Sequence, residues 1–148
     1  MDVPRRRADL LAYTAIGIAV LTGLVLWSDL PPEMAIHFGA GGEPDDFVAR
    51  PVGVFLTPTI GVAAVLLIRR GRNLGTNLDT RMGSANAAVE DAAVAFVGVV
   101  VAYAHGLVLA WNVGLEFDVP VAILPVLGLP GGVVAFTLWR EGRLPARG

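Results

Sequence analysis

Charged residues are scarce in this chain, and some residue types are missing altogether. The 148 residues include no cysteine and no lysine, and only 16% of them are charged whereas 55% are hydrophobic. Soluble domains usually carry about 25% charged residues. The absence of cysteine excludes disulfides and thiolate metal sites. The sequence has only two serines, Ser28 and Ser84, and neither lies in a nucleophile motif. We therefore expect no catalytic residues, no bound cofactor and no enzymatic activity.

The few charges leave four long windows without Asp, Glu or Arg. Crossing the roughly 30 Å hydrocarbon core takes about 20 helical residues, and backbone in lipid must satisfy its own hydrogen bonds. The sequence therefore predicts a single all-α membrane domain over residues 1–148, an integral membrane four-helix bundle. The predicted transmembrane helices span about residues 10–28, 51–68, 88–112 and 119–139.

Two alternatives compete with this interpretation. A soluble protein with buried core helices would need a charged face on each helix, and the windows have none. A cleaved signal peptide could explain the first window, which follows Arg5, Arg6 and Arg7. That window is longer than the 7–15 apolar residues of a signal peptide, however, and no A-x-A-like site follows it.

The arginines predict the orientation of the helices. Ten of the eleven lie in the two tails and in the loop over residues 69–87, and only Arg50 lies between the first two windows. Positively charged loops stay in the cytoplasm. Both termini and the 69–87 loop are therefore predicted to be cytoplasmic, and the 29–50 loop is predicted to be an ordered loop outside the cell.

The outer loop is the most polar part of the chain. Its turn-rich segment reads LPPEMAIHFGAGGEPDDF over residues 30–47, and the loop holds five acids against Arg50. His37 with Glu43, Asp45 and Asp46 offers the oxygen and imidazole ligands of a cation site. The competing interpretation is structural: a turn at Glu43–Asp45, with the loop's apolar residues packed on the helix ends. No fixed ligand spacing supports a metal, so the structural interpretation is favoured.

Helix three carries the one ionisable residue inside a window, His105. Ala102, His105, Leu109 and Asn112 share one helical face by their spacing. We expect this face to look inward, with His105 and Asn112 as intramembrane polar groups bonded to neighbouring helices. An ionisable group in a membrane is a functional candidate by default. A proton or ion path needs a chain of such groups, so interhelical bonding is the favoured interpretation.

The outer loop and helix three resemble the sequences of a known family. In the loop, the similarity rests on Leu30-Pro31, Ile36-His37-Phe38, Gly42-Glu43-Pro44-Asp45 and Phe47. In helix three it rests on Tyr103, His105, Trp111, Asn112 and Gly114. These residues resemble SdpI-like membrane proteins, which carry the domain of unknown function 1648 at their N-terminus. Ala35 stands where that pattern often has proline.

This resemblance implies a polytopic membrane protein of the cell membrane and not an enzyme. The best-studied relatives protect the cell from a secreted toxic peptide, and they tether a transcriptional repressor when the toxin is present. Full-length relatives have further helices and a cytoplasmic GIRTPWTL-like motif that we do not find here. We therefore expect this chain to lack the C-terminal half of those relatives.

Three functions follow as hypotheses. The first is an immunity-like or signal-transduction module that binds an extracellular ligand or secreted peptide through its outer loop, with His37, Phe38, Glu43, Asp45 and Phe47 as candidate ligand-binding residues. The second is an accessory subunit of a transport or signalling complex, and the third is a metal- or ion-binding membrane protein. The expected partners are the lipid bilayer and a peptide or membrane protein, with no nucleic acid. The oligomeric state is not predicted.

Overall fold

The computed structural model describes residues 3–75, 83–126 and 128. Three long helices dominate it, and two short strands follow the first helix. In chain order the elements are α1 (Val3–Val25), β1 (Glu33–Phe38), β2 (Pro44–Ala49), α2 (Arg50–Gly75) and α3 (Gly83–Asn112). A further helical segment covers residues 119–126. Apart from residue 128, the rest of the predicted fourth transmembrane helix lies outside the described residues.

The three long helices have the length and composition needed to cross a membrane. The candidate spans are Arg6–Val25, Arg50–Gly71 and Val89–Asn112, with mean hydropathies of 1.8, 2.1 and 2.2. Large apolar side chains such as Leu21, Ile60 and Leu67 are more than half exposed on their outer faces. Such faces suit lipid rather than water. Three of the four predicted spans are thus helices long and apolar enough to cross a membrane.

Small residues bring the helices close together. A Cβ atom added to Gly98 would lie 2.3 Å from the Cα atom of Ala12, so the backbones of α1 and α3 touch there. A Cβ on Gly61 would lie 2.7 Å from Val101 and 3.2 Å from Ile16. Close contact through small residues is typical of helix packing in membranes. Gly61 and Gly98 therefore lie at helix contacts.

The helices pack around two apolar clusters at opposite ends. One cluster holds Ala8, Ala12, Ile16, Val65 and Val94, and it joins the start of α1 to the end of α2 and the first half of α3. The other holds Leu30, Met34, Val54 and Leu109, which lie beneath the two strands. We call the second end the hairpin end. Met34 and Val54 are fully buried there, so the strands form part of the core.

The segment predicted as an ordered loop is a β-hairpin, which corrects the all-α prediction. Strands β1 and β2 pair antiparallel, and the register changes on both sides of His37. The turn between the strands closes with hydrogen bonds from the Gly39 N–H to the Glu43 carbonyl and from the Gly42 N–H to the Gly39 carbonyl, both 2.9 Å long. Gly42 has a φ of 85°, a conformation that glycine adopts without steric cost.

Arg50 joins the hairpin to α2. Its backbone N–H donates to the Pro32 carbonyl over 2.8 Å, and its Nε donates to the Pro31 carbonyl over 3.1 Å. Its guanidinium also lies 5.7 Å from the ring centre of Trp27. The arginine between the first two spans therefore ties the base of the hairpin to the helix ends.

Candidate functional site: the groove beneath the hairpin

Asn112 attaches the hairpin to α3. Its Oδ1 accepts a hydrogen bond of 2.9 Å from the Ala35 N–H, and its Nδ2 donates to the Ala35 carbonyl over 2.8 Å. The same Nδ2 donates to the Val108 carbonyl, also over 2.8 Å. A neighbouring strand in a sheet would pair with the backbone N–H and carbonyl of Ala35 in the same way. Proline has no N–H to donate, so alanine at the position where the family pattern often has proline makes the first bond possible.

An aromatic series continues this attachment. The ring of Phe38 meets Trp111 edge-on at 5.3 Å, and Trp111 meets Phe117 edge-on at 5.9 Å. Edge-to-face pairs add about 0.5–1.5 kcal/mol each beyond the area that they bury. The end of β1, the end of α3 and the connection after α3 are therefore held together as one unit.

A groove of about 470 Å³ lies between this unit and the helical segment 119–126. The hairpin contributes Ile36, His37, Phe38, Gly39 and Ala40, α3 contributes Ala104, Leu107 and Val108, and the following chain contributes Phe117, Val119, Pro120 and Ile123. Most of these side chains are apolar. Sites for small molecules commonly have 300–1,000 Å³ and mainly apolar walls.

The wall formed by the 119–126 segment is fixed at several points. The Tyr103 hydroxyl donates to the Ala122 carbonyl over 2.8 Å, and the Asp118 carboxylate caps the segment by accepting from the Val121 N–H over 2.9 Å. Pro120 occupies the first turn, where its missing N–H has no helical acceptor to satisfy. A Cβ on Gly42 would lie 2.9 Å from the Pro120 ring, so the hairpin turn touches this wall.

The structure brings together only part of the predicted ligand-binding set. His37 and Phe38 line the groove, and the Asp45 carboxylate lies 2.5 Å from the Nδ1 atom of His37. Glu43 and Phe47 do not line it, and Phe47 is 54% exposed on β2. Across residues 3–75 and 83–126, no three His, Asp or Glu side chains are arranged to hold a metal ion. The metal hypothesis therefore has no ligand cluster in these ranges.

His105 lies in the core, as its helical face predicts. Its side chain is fully buried, and neither ring nitrogen has a hydrogen-bond partner among the described residues. A Cβ on Gly23 would lie 3.6 Å from its Nε2 atom and 2.8 Å from Val54, so the ring sits where α1, α2 and α3 meet. The expected interhelical bond of His105 is not among those of the described chain, and Asn112 bonds to the hairpin instead of a neighbouring helix.

A charged cluster lies at the opposite end of the three helices. Arg69 of α2 contacts Asp9 of α1 at 2.6 Å and both Glu90 and Asp91 of α3, at 2.8 Å and 2.7 Å. The arginine is buried, with only 9% of the residue exposed. We call these four residues the Arg69 cluster. The sequence predicted Arg69 to lie in the 69–87 loop, but it belongs to α2. The sequence offered one signal: Asp9, Glu90 and Asp91 directly precede two of the apolar windows, and Arg69 directly follows another.

Comparisons with known proteins concern the hairpin and its flanking helices. Residues 14–62 match the family model of DUF1648, a domain of unknown function. An uncharacterized protein of Archaeoglobus fulgidus is 36% identical over 58 residues, which are 39% of this chain and 32% of that protein. The match thus spans about a third of the length of this relative. No solved structure matches the chain. The matched residues 14–62 run from the middle of α1 through the hairpin into α2, so this part of the chain is similar to the DUF1648 domain.

Proposed function

We propose that this protein is a multi-pass protein of the cell membrane that recognises a ligand outside the cell through the groove beneath its hairpin. The groove is the observation that carries the proposal. It has the size of a small-molecule site. Hydrogen bonds and aromatic contacts hold its walls, so a ligand would lose little free energy in ordering them. Binding and not catalysis is the role proposed, with no cofactor.

Charge supports the proposed orientation. The hairpin end carries acids and the single Arg50, whereas the other end carries Arg5, Arg6 and Arg7 on α1 and Arg69, Arg70 and Arg72 on α2. The positive-inside rule places the arginine-rich end in the cytoplasm. Both termini are then cytoplasmic, with four membrane spans in the whole chain, and the hairpin faces outward. The resemblance to SdpI-like proteins adds the hypothesis that recognition leads to immunity or signalling.

Photo-crosslinking in cells tests the recognition. A crosslinking residue at Ala40, which is exposed and lines the groove, should capture a molecule from outside the cell. The matched control is Phe47, which is exposed on β2 but does not line the groove. Capture at position 40 and not at position 47 would support a groove ligand. Capture of only this protein's own helices at both positions would make the hairpin a structural cap and overturn the proposal.

One observation favours the accessory-subunit hypothesis as a second candidate. Gly17 and Gly106 have no heavy atom within 4 Å of an added Cβ, and Gly106 is exposed on α3. Small residues on lipid-facing surfaces allow another helix to approach closely. A partner would then dock along α3. A stable larger complex in mild detergent that is lost in Gly106→Leu supports this candidate, and a monomer in both samples contradicts it.

A further inference from the structure

The groove joins an apolar interior to an acidic opening. This inference rests on the proposed function, because it names the chemical class of ligand for that groove. Leu107, Val108 and Ile123 contribute aliphatic wall, and Phe38 and Phe117 contribute aromatic wall. Burial of an apolar body of the ligand against these walls would therefore favour binding, because it removes apolar surface from water.

The hairpin end has one sign of exposed charge. Seven carboxylates in the segments around the groove are exposed: Asp29, Glu33, Glu43, Asp45, Asp46, Glu116 and Asp118. The same segments contain one arginine, Arg50, and its guanidinium is bonded to Pro31 and lies over Trp27. Pro31 and Trp27 do not line the groove, and Arg50 does not line it either. The opening therefore faces a negative potential, which low-dielectric walls concentrate.

Two of these carboxylates lie next to the lining itself. Asp45 contacts His37, which lines the groove, and Asp118 lies in the chain between the lining residues Phe117 and Val119. Aromatic rings on the wall add to the preference for positive charge, since their faces attract cations. A negatively charged ligand would meet repulsion at the opening and would find no unengaged arginine in these segments.

We infer that the groove binds an organic cation that has an apolar body and enters from the aqueous side. The apolar part lies against α3 and the 119–126 segment, and the cationic group stays at the opening, among the exposed acids of the hairpin end. A volume of about 470 Å³ suits a small molecule or one or two side chains of a larger cationic ligand. A membrane lipid held by its acyl chain is the competing occupant.

Trp111 offers a direct readout of occupancy, because it contacts the lining residues Phe38 and Phe117. The experiment uses the full chain in nanodiscs of zwitterionic lipid, with Trp27→Phe and Trp139→Phe so that Trp111 alone fluoresces. Three probes of equal chain length are titrated: octyltrimethylammonium, octanol and octanesulfonate. We expect a saturable change with the cation, at least about tenfold tighter binding than for the anion, and weaker binding as salt screens the charges.

Two variants locate the binding. The triple variant Glu43→Gln, Asp46→Asn and Glu116→Gln neutralises three of the acids. It should weaken cation binding about threefold to tenfold and leave the affinity for octanol unchanged. The comparison variant is Asp29→Asn, which removes one of the seven exposed acids and should weaken cation binding less than the triple change. Ala104→Leu adds bulk to the α3 wall and should abolish saturable binding of the cation. Preserved folding of each variant is checked by circular dichroism.

The outcomes separate this inference from the proposed function. Equal saturable binding of all three probes would keep the groove as a ligand site but overturn its preference for cations. Tighter binding of the anion would have the same meaning. A non-saturable response to every probe that Ala104→Leu does not alter would indicate partition into lipid, and both the inference and the groove as a ligand site would fail.

Discussion

The side-chain amide of Asn112 pairs with both backbone hydrogen-bonding groups of Ala35, 77 positions away in the sequence. One orientation of the amide satisfies every contact, because Oδ1 faces an N–H group and Nδ2 faces two carbonyls. The hairpin is thereby attached to α3 by a side chain that replaces a neighbouring strand. Ala35 is almost fully buried, so water cannot replace the lost bonds if the amide is removed.

Asn112→Leu should detach the hairpin from α3. Each buried backbone group left without a partner costs about 1–3 kcal/mol, so we expect a loss of about 3 kcal/mol in unfolding free energy. Hydrogen exchange in detergent should show faster exchange at the Ala35 amide. The control Thr22→Val removes a hydroxyl that bonds only to the carbonyl one turn earlier in α1. Unchanged exchange at Ala35 in Asn112→Leu would contradict the attachment.

Gly98→Ala should separate α1 from α3. The added methyl group would lie 2.3 Å from the Cα and 2.7 Å from the Cβ of Ala12, and a backbone atom cannot move aside as a flexible side chain can. Overpacking of this kind costs about 1–3 kcal/mol. Thermal unfolding in detergent measures it. Gly106→Ala on the same helix is the matched control, because nothing lies within 4 Å of its added methyl group. Equal stability of the two variants would disprove the close contact.

Arg69→Leu should destabilise the end of the bundle opposite the hairpin. It leaves Asp9, Glu90 and Asp91 close together without the guanidinium that they share. Removing one partner of a buried ion pair costs about 3–5 kcal/mol. Arg69→Lys should recover only part of this, since an ammonium lacks the planar fork of donors. The neighbouring Arg70, which is exposed, provides the control Arg70→Leu. Equal unfolding temperatures for Arg69→Leu and Arg70→Leu would show that the cluster contributes nothing to stability.

His105→Leu should leave the free energy of unfolding unchanged or raise it by about 1–2 kcal/mol. The reason is that a buried polar group without a partner costs free energy in the folded state. Its nitrogens have no partner among the described residues. Denaturation in detergent measures the change in unfolding free energy. The control is Leu109→Ala, which removes an apolar side chain from a buried position one turn away and should lower that free energy. A clear loss of stability in His105→Leu would mean that the imidazole holds a partner in the native protein.

The sequence predicted the spans well because lipid imposes a local rule. A charge-free stretch of helical length can be recognised without knowledge of its neighbours, and three such stretches are helices here. The ends of the helices were predicted less accurately. Helix α2 continues through Arg69 and Arg70 to Gly75, and α3 begins at Gly83. The first charged residue marks the end of an apolar window in the sequence, but the helix itself continues past that residue.

The strands were missed because their pattern is weak. Residues 44–49 read PDDFVA, and proline and aspartate are both depleted in strands. The turn residues Gly39–Gly42 were visible in the sequence, whereas the pairing across them was not. An isolated two-stranded hairpin is only marginally stable in water. Here the contacts of strand β1 with helices α2 and α3 stabilise the hairpin.

The sequence by itself determined that this chain has helices long and apolar enough to cross a membrane, that a compact acidic segment joins the first two, and that His105 and Leu109 face inward. Only the tertiary structure decided that Asn112 binds Ala35, that Arg69 gathers acids from α1 and α3, and that a groove forms beneath the hairpin. The physical reason is range. Hydropathy and helical period act over neighbouring residues, whereas these contacts join positions 21 to 77 residues apart, and only packing selects them.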